Sequence, residues 1–228
     1  MPDHTDIYKN EAAKYELLIS RQPNLIKIIE EIRAVKGLDI IDLGAGTGRL
    51  TTLLAQEAKS IIALDASETM LQITENKLKK LGYSNFLTKV ADNRKLPLED
   101  RSADVVVAGW TIAYLANTDV QDWKQNITQI ISELQRVLRP DGTIIIFETM
   151  GTGTEVPDPP HVLKEYYRIL VEEYGFNHKW LRTDYHFESI NEAEELTRFF
   201  FGDALANKVR DEDLVCLPEC AGVWWLQI

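Results

Sequence analysis

The chain has 228 residues, 45% of them hydrophobic, which suits one α/β domain with a sizeable core and is too apolar for global disorder. Lys and Arg number 25 against 36 Asp and Glu, a formal net charge of -11; such a surface repels phosphate backbones and anionic lipid, so neither nucleic acid nor membrane is an expected partner. There is no apolar run of about 18 residues to span a membrane, and the polar opening MPDHTDIYKNEAAKYE lacks the apolar core of a leader. Cys216 and Cys220 have no further cysteine and no nearby histidine to complete four metal ligands. They read as ordinary thiols in a reducing cytoplasm, with no metal expected.

In chain order, residues 9–20 and 24–35 read as helices, the second because Leu25, Ile28, Ile29, Ile32 and Val35 recur at helical spacing. Residues 38–43 form a short apolar run suited to a buried strand. The pattern then alternates: helix near 48–58, strand 60–65, helix 67–81, strand 85–90, strand 103–109, helix 119–138, strand 143–149. In the long helix Ile127, Ile130, Ile131, Leu134, Val137 and Leu138 share one face, and RPDG at 139–142 is a turn signal that ends it. Strands alternating with helices imply a parallel sheet covered on both faces. The runs DIIDL, IIALD, DVVVAG and TIIIF are apolar nearly throughout, as doubly buried strands are.

After 149 the character changes. GTGTEVPDPP at 151–160 is too long and irregular for a simple connection and reads as a functional or mobile loop. A helix is predicted at 161–175 and a strand at 180–189. A capped helix follows, with Asn191 as N-cap and Glu194 three positions on. CAGVWWLQI is the expected last strand. No composition break marks a second domain.

DIIDLGAGTGRL at 39–50 carries the chemistry. Gly44, Gly46 and Gly48 alternate, so the backbone can turn sharply and approach a ligand closely. A dinucleotide fingerprint needs a third glycine where Arg49 stands. The alternate spacing suits a ligand without a pyrophosphate.

Four ordered motifs carry a resemblance: IDLGAGTGRL ending strand one, IIALDAS ending strand two, VADNRKLPLEDRSADVVVAGW, and ISELQRVLRPDGTIIIFE. From about 38 to 149 the chain resembles the class I S-adenosyl-L-methionine-dependent methyltransferases, in particular the small-molecule, type 11/25-like branch. The resemblance implies a three-layer Rossmann-like fold: a seven-stranded, mostly parallel sheet of order 3-2-1-4-5-7-6, the last strand antiparallel, with helices on both faces. It implies a single domain over 1–228, with residues 1–36 as an N-terminal helical flap and 150–176 as an acceptor lid. The implied cofactor is S-adenosyl-L-methionine (SAM), released as S-adenosyl-L-homocysteine (SAH).

By the same resemblance, Asp42, Gly44, Ala45, Gly46, Thr47 and Gly48 form the cofactor loop. Asp65 accepts the ribose hydroxyls, with Ala66 beside it; its plain alternative is a helix-capping acid. Met70 packs on adenine or is simply core. Asp92 and the Asn93 N–H meet the adenine edge, unless Asp92 is only a solvated loop acid. Gly109 and Trp110 line the methionine part, a core tryptophan being the other reading, and Tyr15 closes from the flap.

Methyl transfer is an in-line displacement that the cofactor itself activates, and alignment alone can supply about 7–11 kcal/mol. No catalytic residue is therefore required, and none is assigned; Glu148, His161 and Tyr114 are the candidates for a base. Gly109-Trp110-Thr111-Ile112 stands where amine methyltransferases of DNA, RNA or glutamine carry a Pro-Pro-aromatic motif, which leaves a small-molecule acceptor. The competing readings are a SAM-binding protein without turnover, acting as an interaction partner, and an NAD-dependent oxidoreductase. A monomer or homodimer is expected.

Overall fold

The apolar runs that read as strands are strands in the computed structural model, which describes residues 2–228. β1 (Asp39–Leu43), β2 (Ser60–Asp65), β3 (Phe86–Val90), β4 (Ala103–Gly109), β5 (Leu138–Thr152), β6 (Asn177–Arg182) and β9 (Glu219–Gln227) form a seven-stranded sheet of order β3-β2-β1-β4-β5-β9-β6. With β9 counted as the seventh strand, this is the expected order. The pairs β1–β2, β1–β4, β2–β3 and β4–β5 are parallel. β9 runs against β5: Asp141 N donates to Ile228 O at one end, and Gly153 N to Pro218 O at the other. A separate antiparallel pair joins β7 (Tyr185–His186) to β8 (Cys216–Leu217).

The chain divides into two compact units. The larger holds residues 24–148, 159–179 and 222–228. Its inner strands are buried on both faces, Ile40, Ile41, Leu43, Ile61, Leu64, Val105, Val107 and Ile144 to Ile146 lying within the core, while the edge strand β3 is only partly covered. Its helices are α3 (Ile26–Ile32), α4 (Thr51–Leu54), α5 (Glu68–Lys80), α6 (Ala113–Ala116), α7 (Trp123–Val137) and α8 (Lys164–Glu172). α7 buries Ile127, Ile130, Ile131, Leu134 and Val137, the stripe read from the sequence except for Leu138, which is buried as the first residue of β5 instead. The smaller unit holds the residues up to Pro23 with 149–158 and 180–221. It contains α1 (His4–Asn10), α2 (Ala12–Ser20), α9 (Ile190–Phe201) and α10 (Asp203–Asp211), packed around Leu18, Tyr185, Phe187, Leu196, Val209 and Leu217. The expected flap at 1–36 is shared between the units at Pro23, and the expected lid at 150–176 is shared between them at Asp158.

Several boundaries differ for local reasons. The helix expected at 9–20 breaks at Glu11, which leaves helical backbone angles at φ -126° and ψ 25°. The helix expected near 48–58 keeps only α4, because the glycine loop consumes its first turn. RPDG is no free turn: α7 ends at Val137, β5 begins at Leu138, and Asp141 (φ +66°) takes up an irregularity in the pairing with β4. The strand expected at 180–189 is interrupted at Thr183 and Asp184, where Arg182 grips the Asp184 carboxylate through Nε at 2.7 Å and Nη2 at 2.9 Å. The cap of α9 is Ser189, not Asn191: its hydroxyl accepts from Glu192 N at 3.2 Å, and the Glu192 carboxylate accepts from Glu188 N at 2.7 Å. This is a capping-box arrangement two residues earlier than the sequence suggested.

Candidate functional site

The glycine loop leaves β1 at Leu43 and turns at the carboxyl end of the sheet, where ligands of open α/β folds sit. Gly44 and Gly46 hold φ +65° and +55°, left-handed values that cost other residues roughly 1–2 kcal/mol. A Cβ on Gly44 would lie 2.1 Å from Thr111 Oγ1, so the loop presses directly on the turn after β4. A Cβ on Gly46 would instead meet nothing closer than Met70 Cε at 3.5 Å and Gly44 O at 4.0 Å, ordinary contact distances. The loop therefore has no room for a side chain at Gly44 and no more than ordinary contact at Gly46.

Acids and α5 fix its shape. Asp65, ending β2, accepts from Gly46 N through Oδ2 and from Ser67 N through Oδ1, both at 2.8 Å. Burial pushes its carboxyl up from the usual range, partly offset by these backbone donors. The Ser67 hydroxyl, not Asp65, caps α5 by accepting from Met70 N at 3.4 Å. Asp42 lies beneath the loop, 1% exposed, and accepts from Thr51 Oγ1 at 2.5 Å. Burial, reinforced by the Asp65 charge, pushes Asp42 up to about 7. Sequence reasoning missed two loop clamps: Thr74 Oγ1 donates to Gly46 O at 2.7 Å, and Lys77 Nζ donates to Thr47 O at 2.9 Å. They sit one helical turn apart on α5, a spacing that becomes meaningful only once the loop's carbonyls are placed.

Ala45 and Thr47 are buried in the loop, and the Thr47 hydroxyl has no hydrogen-bond partner. Ala66 links Asp65 to the α5 cap, and Met70 is buried against the loop. Asp92 is half-exposed and held by Arg94, with Nε to Oδ1 at 2.9 Å and Nη2 to Oδ2 at 2.6 Å, so its carboxyl lies below the usual range. Arg94 is therefore a feature of the expected adenine edge that the sequence reading omitted. Asn93 donates through Nδ2 to Thr111 Oγ1 at 3.1 Å. Gly109 approaches Leu50, and Trp110 follows it at φ +52°. The Trp110 ring lies 6.1 Å from Phe147 and carries the Arg49 guanidinium 4.1 Å above it. Tyr15 belongs to the smaller unit, where its ring meets Tyr8 edge-on at 5.1 Å and Phe200 at 5.3 Å.

The three base candidates differ sharply. Glu148, expected at an acceptor-facing edge, is 1% exposed; Oε1 accepts from Ala113 N at 2.9 Å, and burial pushes the acid up to about 8. Tyr114 is largely exposed on α6, and His161 is exposed at the start of a short 3-10 turn. The segments carrying them meet where Thr118 N donates to Val162 O at 3.0 Å. Among the described residues, no group of three or more His, Cys, Asp or Glu side chains is placed to hold a metal. No helix among them is long and apolar enough to cross a membrane.

Asp42 and Glu148 set a pH dependence. Their folded-state values lie above the ordinary 3.8 and 4.5, so between those values and about 7 to 8 the folded chain holds more protons than the unfolded one. Stability is then full at acidic pH and declines as pH rises through that window. The melting temperature should fall from pH 5 to pH 8.5, and Glu148→Gln should flatten the upper part of that curve. A wild-type curve rising across this range would contradict the assignment.

A parallel sheet of this order, with a left-handed glycine loop braced by the acid ending the second strand, defines the architecture of the class I SAM-dependent methyltransferases. The family profile described as a methyltransferase domain matches residues 41–146. The chain is 28% identical over 173 residues to the malonyl-[acyl-carrier protein] O-methyltransferase of a Marinomonas species, covering 73% of this chain and 57% of that one. It is 25% identical over 198 residues to a demethylmenaquinone methyltransferase of Listeria monocytogenes, covering 86% and 76%. The crystal structure of a SAM-dependent methyltransferase from Aquifex aeolicus superposes with a TM-score of 0.63 at 16% identity, covering 95% of this chain and 98% of that one. Several curated relatives are much longer: the chain spans 57%, 30%, 51% and 48% of four of them. Residues 41–146 thus match a methyltransferase domain, and the chain is similar in sequence to curated methyltransferases and in fold to a SAM-dependent one.

Proposed function

We propose that the protein transfers a methyl group from SAM to a small-molecule acceptor at oxygen, nitrogen or carbon. The observation that carries this reading is the Asp65 carboxylate. Its two oxygens accept the backbone N–H groups of Gly46 and Ser67 at 2.8 Å, with Ala66 N–H also contributing; a carboxylate offers about four acceptor sites, so capacity remains for a ribose hydroxyl while the acid holds the loop. The absence of any tight contact at Gly46 suits the close approach of a ligand body. The unpartnered Thr47 hydroxyl is a further polar group suited to it.

When bound, the cofactor supplies an electrophilic methyl on a sulfonium. The chain's own work is to bind, orient and exclude water. The loop from Gly44 to Gly48, with Ala45 and Thr47, would hold the amino-acid end over Asp42. Asp65, Ala66 and Met70 would hold the nucleoside, with Asp92 and Asn93 at the base. Gly109 and Trp110 would wall the sulfur side. The acidic balance of the chain supports a small acceptor rather than a nucleic acid. Curated relatives named for acting on small molecules, among them phosphoethanolamine and demethylmenaquinone methyltransferases, support the same class. The free thiols Cys216 and Cys220 support a cytoplasmic setting, in which we expect a monomer or homodimer.

Calorimetry with SAH and with NAD, followed by SAH release from SAM across a panel of small acceptors, tests the reading. Heat with SAH, none with NAD, and acceptor-dependent release are expected. Binding without release for any acceptor would favour a non-catalytic partner role, and a signal with NAD alone would replace the assignment.

A further inference from the structure

The last two core residues of β5 hold the turn that follows β4. Phe147 O accepts from Trp110 N at 2.7 Å, and the Glu148 carboxylate accepts from the backbone N–H groups of Ala113, at 2.9 Å, and Ile112. These are the first N–H groups of α6, which have no helical partner of their own. The turn so held contains Trp110 in its left-handed conformation, and it also contains Thr111. Thr111 occupies the space where a Gly44 side chain would lie, and its hydroxyl accepts from Asn93 Nδ2 at 3.1 Å. One carboxylate thus braces a segment that touches the glycine loop, the expected adenine edge and the expected sulfur wall.

We propose that Glu148 is a positioning residue of the cofactor site: it fixes the Trp110–Ala113 turn against the glycine loop and takes no proton from the acceptor. The inference rests on the methyl-transfer reading above. The geometry disfavours a base, because the carboxylate is buried and aimed at backbone N–H groups. The titratable group interacting with it is the phenol of Tyr166 on α8, itself buried without a hydrogen-bond partner and held neutral well above its ordinary value. An ionised Glu148 accepts more strongly from N–H groups than a protonated one, so the brace tightens as pH rises.

The test compares SAH affinity and turnover in Glu148→Ala and Glu148→Gln, with SAH titrations from pH 6 to pH 9. Glu148→Ala should raise the Kd for SAH roughly tenfold, the loss of one or two hydrogen bonds acting through the turn. Glu148→Gln, whose amide oxygen still accepts, should restore affinity to within about threefold of wild type and keep most of kcat. The wild-type pH profile of SAH affinity should contain a rising component that Glu148→Gln lacks. If Glu148→Ala does not fold, the two remaining pH profiles decide: superimposable curves overturn the proposal. Loss of turnover in Glu148→Gln at unchanged SAH affinity would make Glu148 the base and overturn it as well. A wild-type protein that binds no SAH would sink the methyl-transfer reading itself, an outcome distinct from a variant that binds like wild type.

Discussion

Asp65→Ala is expected to weaken SAH binding by roughly 10- to 100-fold, the worth of charged hydrogen bonds at about 1.5–3 kcal/mol, while the far-ultraviolet spectrum stays that of the wild type. Two effects add. The variant loses the acceptor proposed for the ribose hydroxyls. It also releases Gly46 N, which the carboxylate holds at 2.8 Å, so the loop itself loosens. Asp65→Asn separates the two. An amide oxygen can still hold Gly46 N, but the amide nitrogen offers a donor where the diol needs an acceptor. Asp65→Asn should therefore recover loop stability more than affinity. Equal SAH affinity in Asp65→Ala and wild type, measured by calorimetry, would remove Asp65 from the site.

The second large effect divides neighbouring glycines by what each one faces. Gly44→Ala places a methyl 2.1 Å from the branched Thr111 side chain at a backbone angle of +65°, so strain and overpacking combine. About 2–5 kcal/mol of stability should be lost, read as a drop in the denaturant midpoint. Gly46→Val meets nothing closer than Met70 Cε at 3.5 Å. Its stability cost should be the smaller one, about 1–2 kcal/mol for the left-handed angle. Its isopropyl group would occupy the space proposed for the ligand, so SAH binding should vanish from a folded protein. If Gly46→Val bound SAH normally, the ligand would have to lie elsewhere.

The sequence made the scaffold readable because the scaffold is local. DIIDL, IIALD, DVVVAG and TIIIF are continuous apolar runs, and continuous runs become strands buried on both faces. The stripe on α7 survived for the same reason, since one apolar face suffices to dock a helix. What failed depends on which partner the folded backbone selects, whether a few residues away or on a distant segment. Asn191 and Ser189 both suit an N-cap, and the choice falls to Ser189, whose Glu192 reaches back to the chain. Nothing near Asp92 announces that Arg94, two residues on, folds back and grips it with two nitrogens. Glu148 looks from the sequence like an exposed acid at a strand end. Only the placement of α6, a four-residue helix too short to show periodicity, turns it into a buried cap. The loop acids Asp42 and Asp65 lay between these cases. Their positions were legible, but their raised protonation was not, because burial is a property of the assembled core.

Trp110 draws the longest consequence. A bulky residue at φ +52° resists its own backbone preference, at a cost of about 1–3 kcal/mol, yet its main chain is tied to Phe147 and its indole packs near that ring and against the Arg49 guanidinium. Folding has already met that cost before any guest arrives. The indole is thus held before anything binds, and a ligand that docked against it, as proposed, would find it preorganised rather than having to rearrange it.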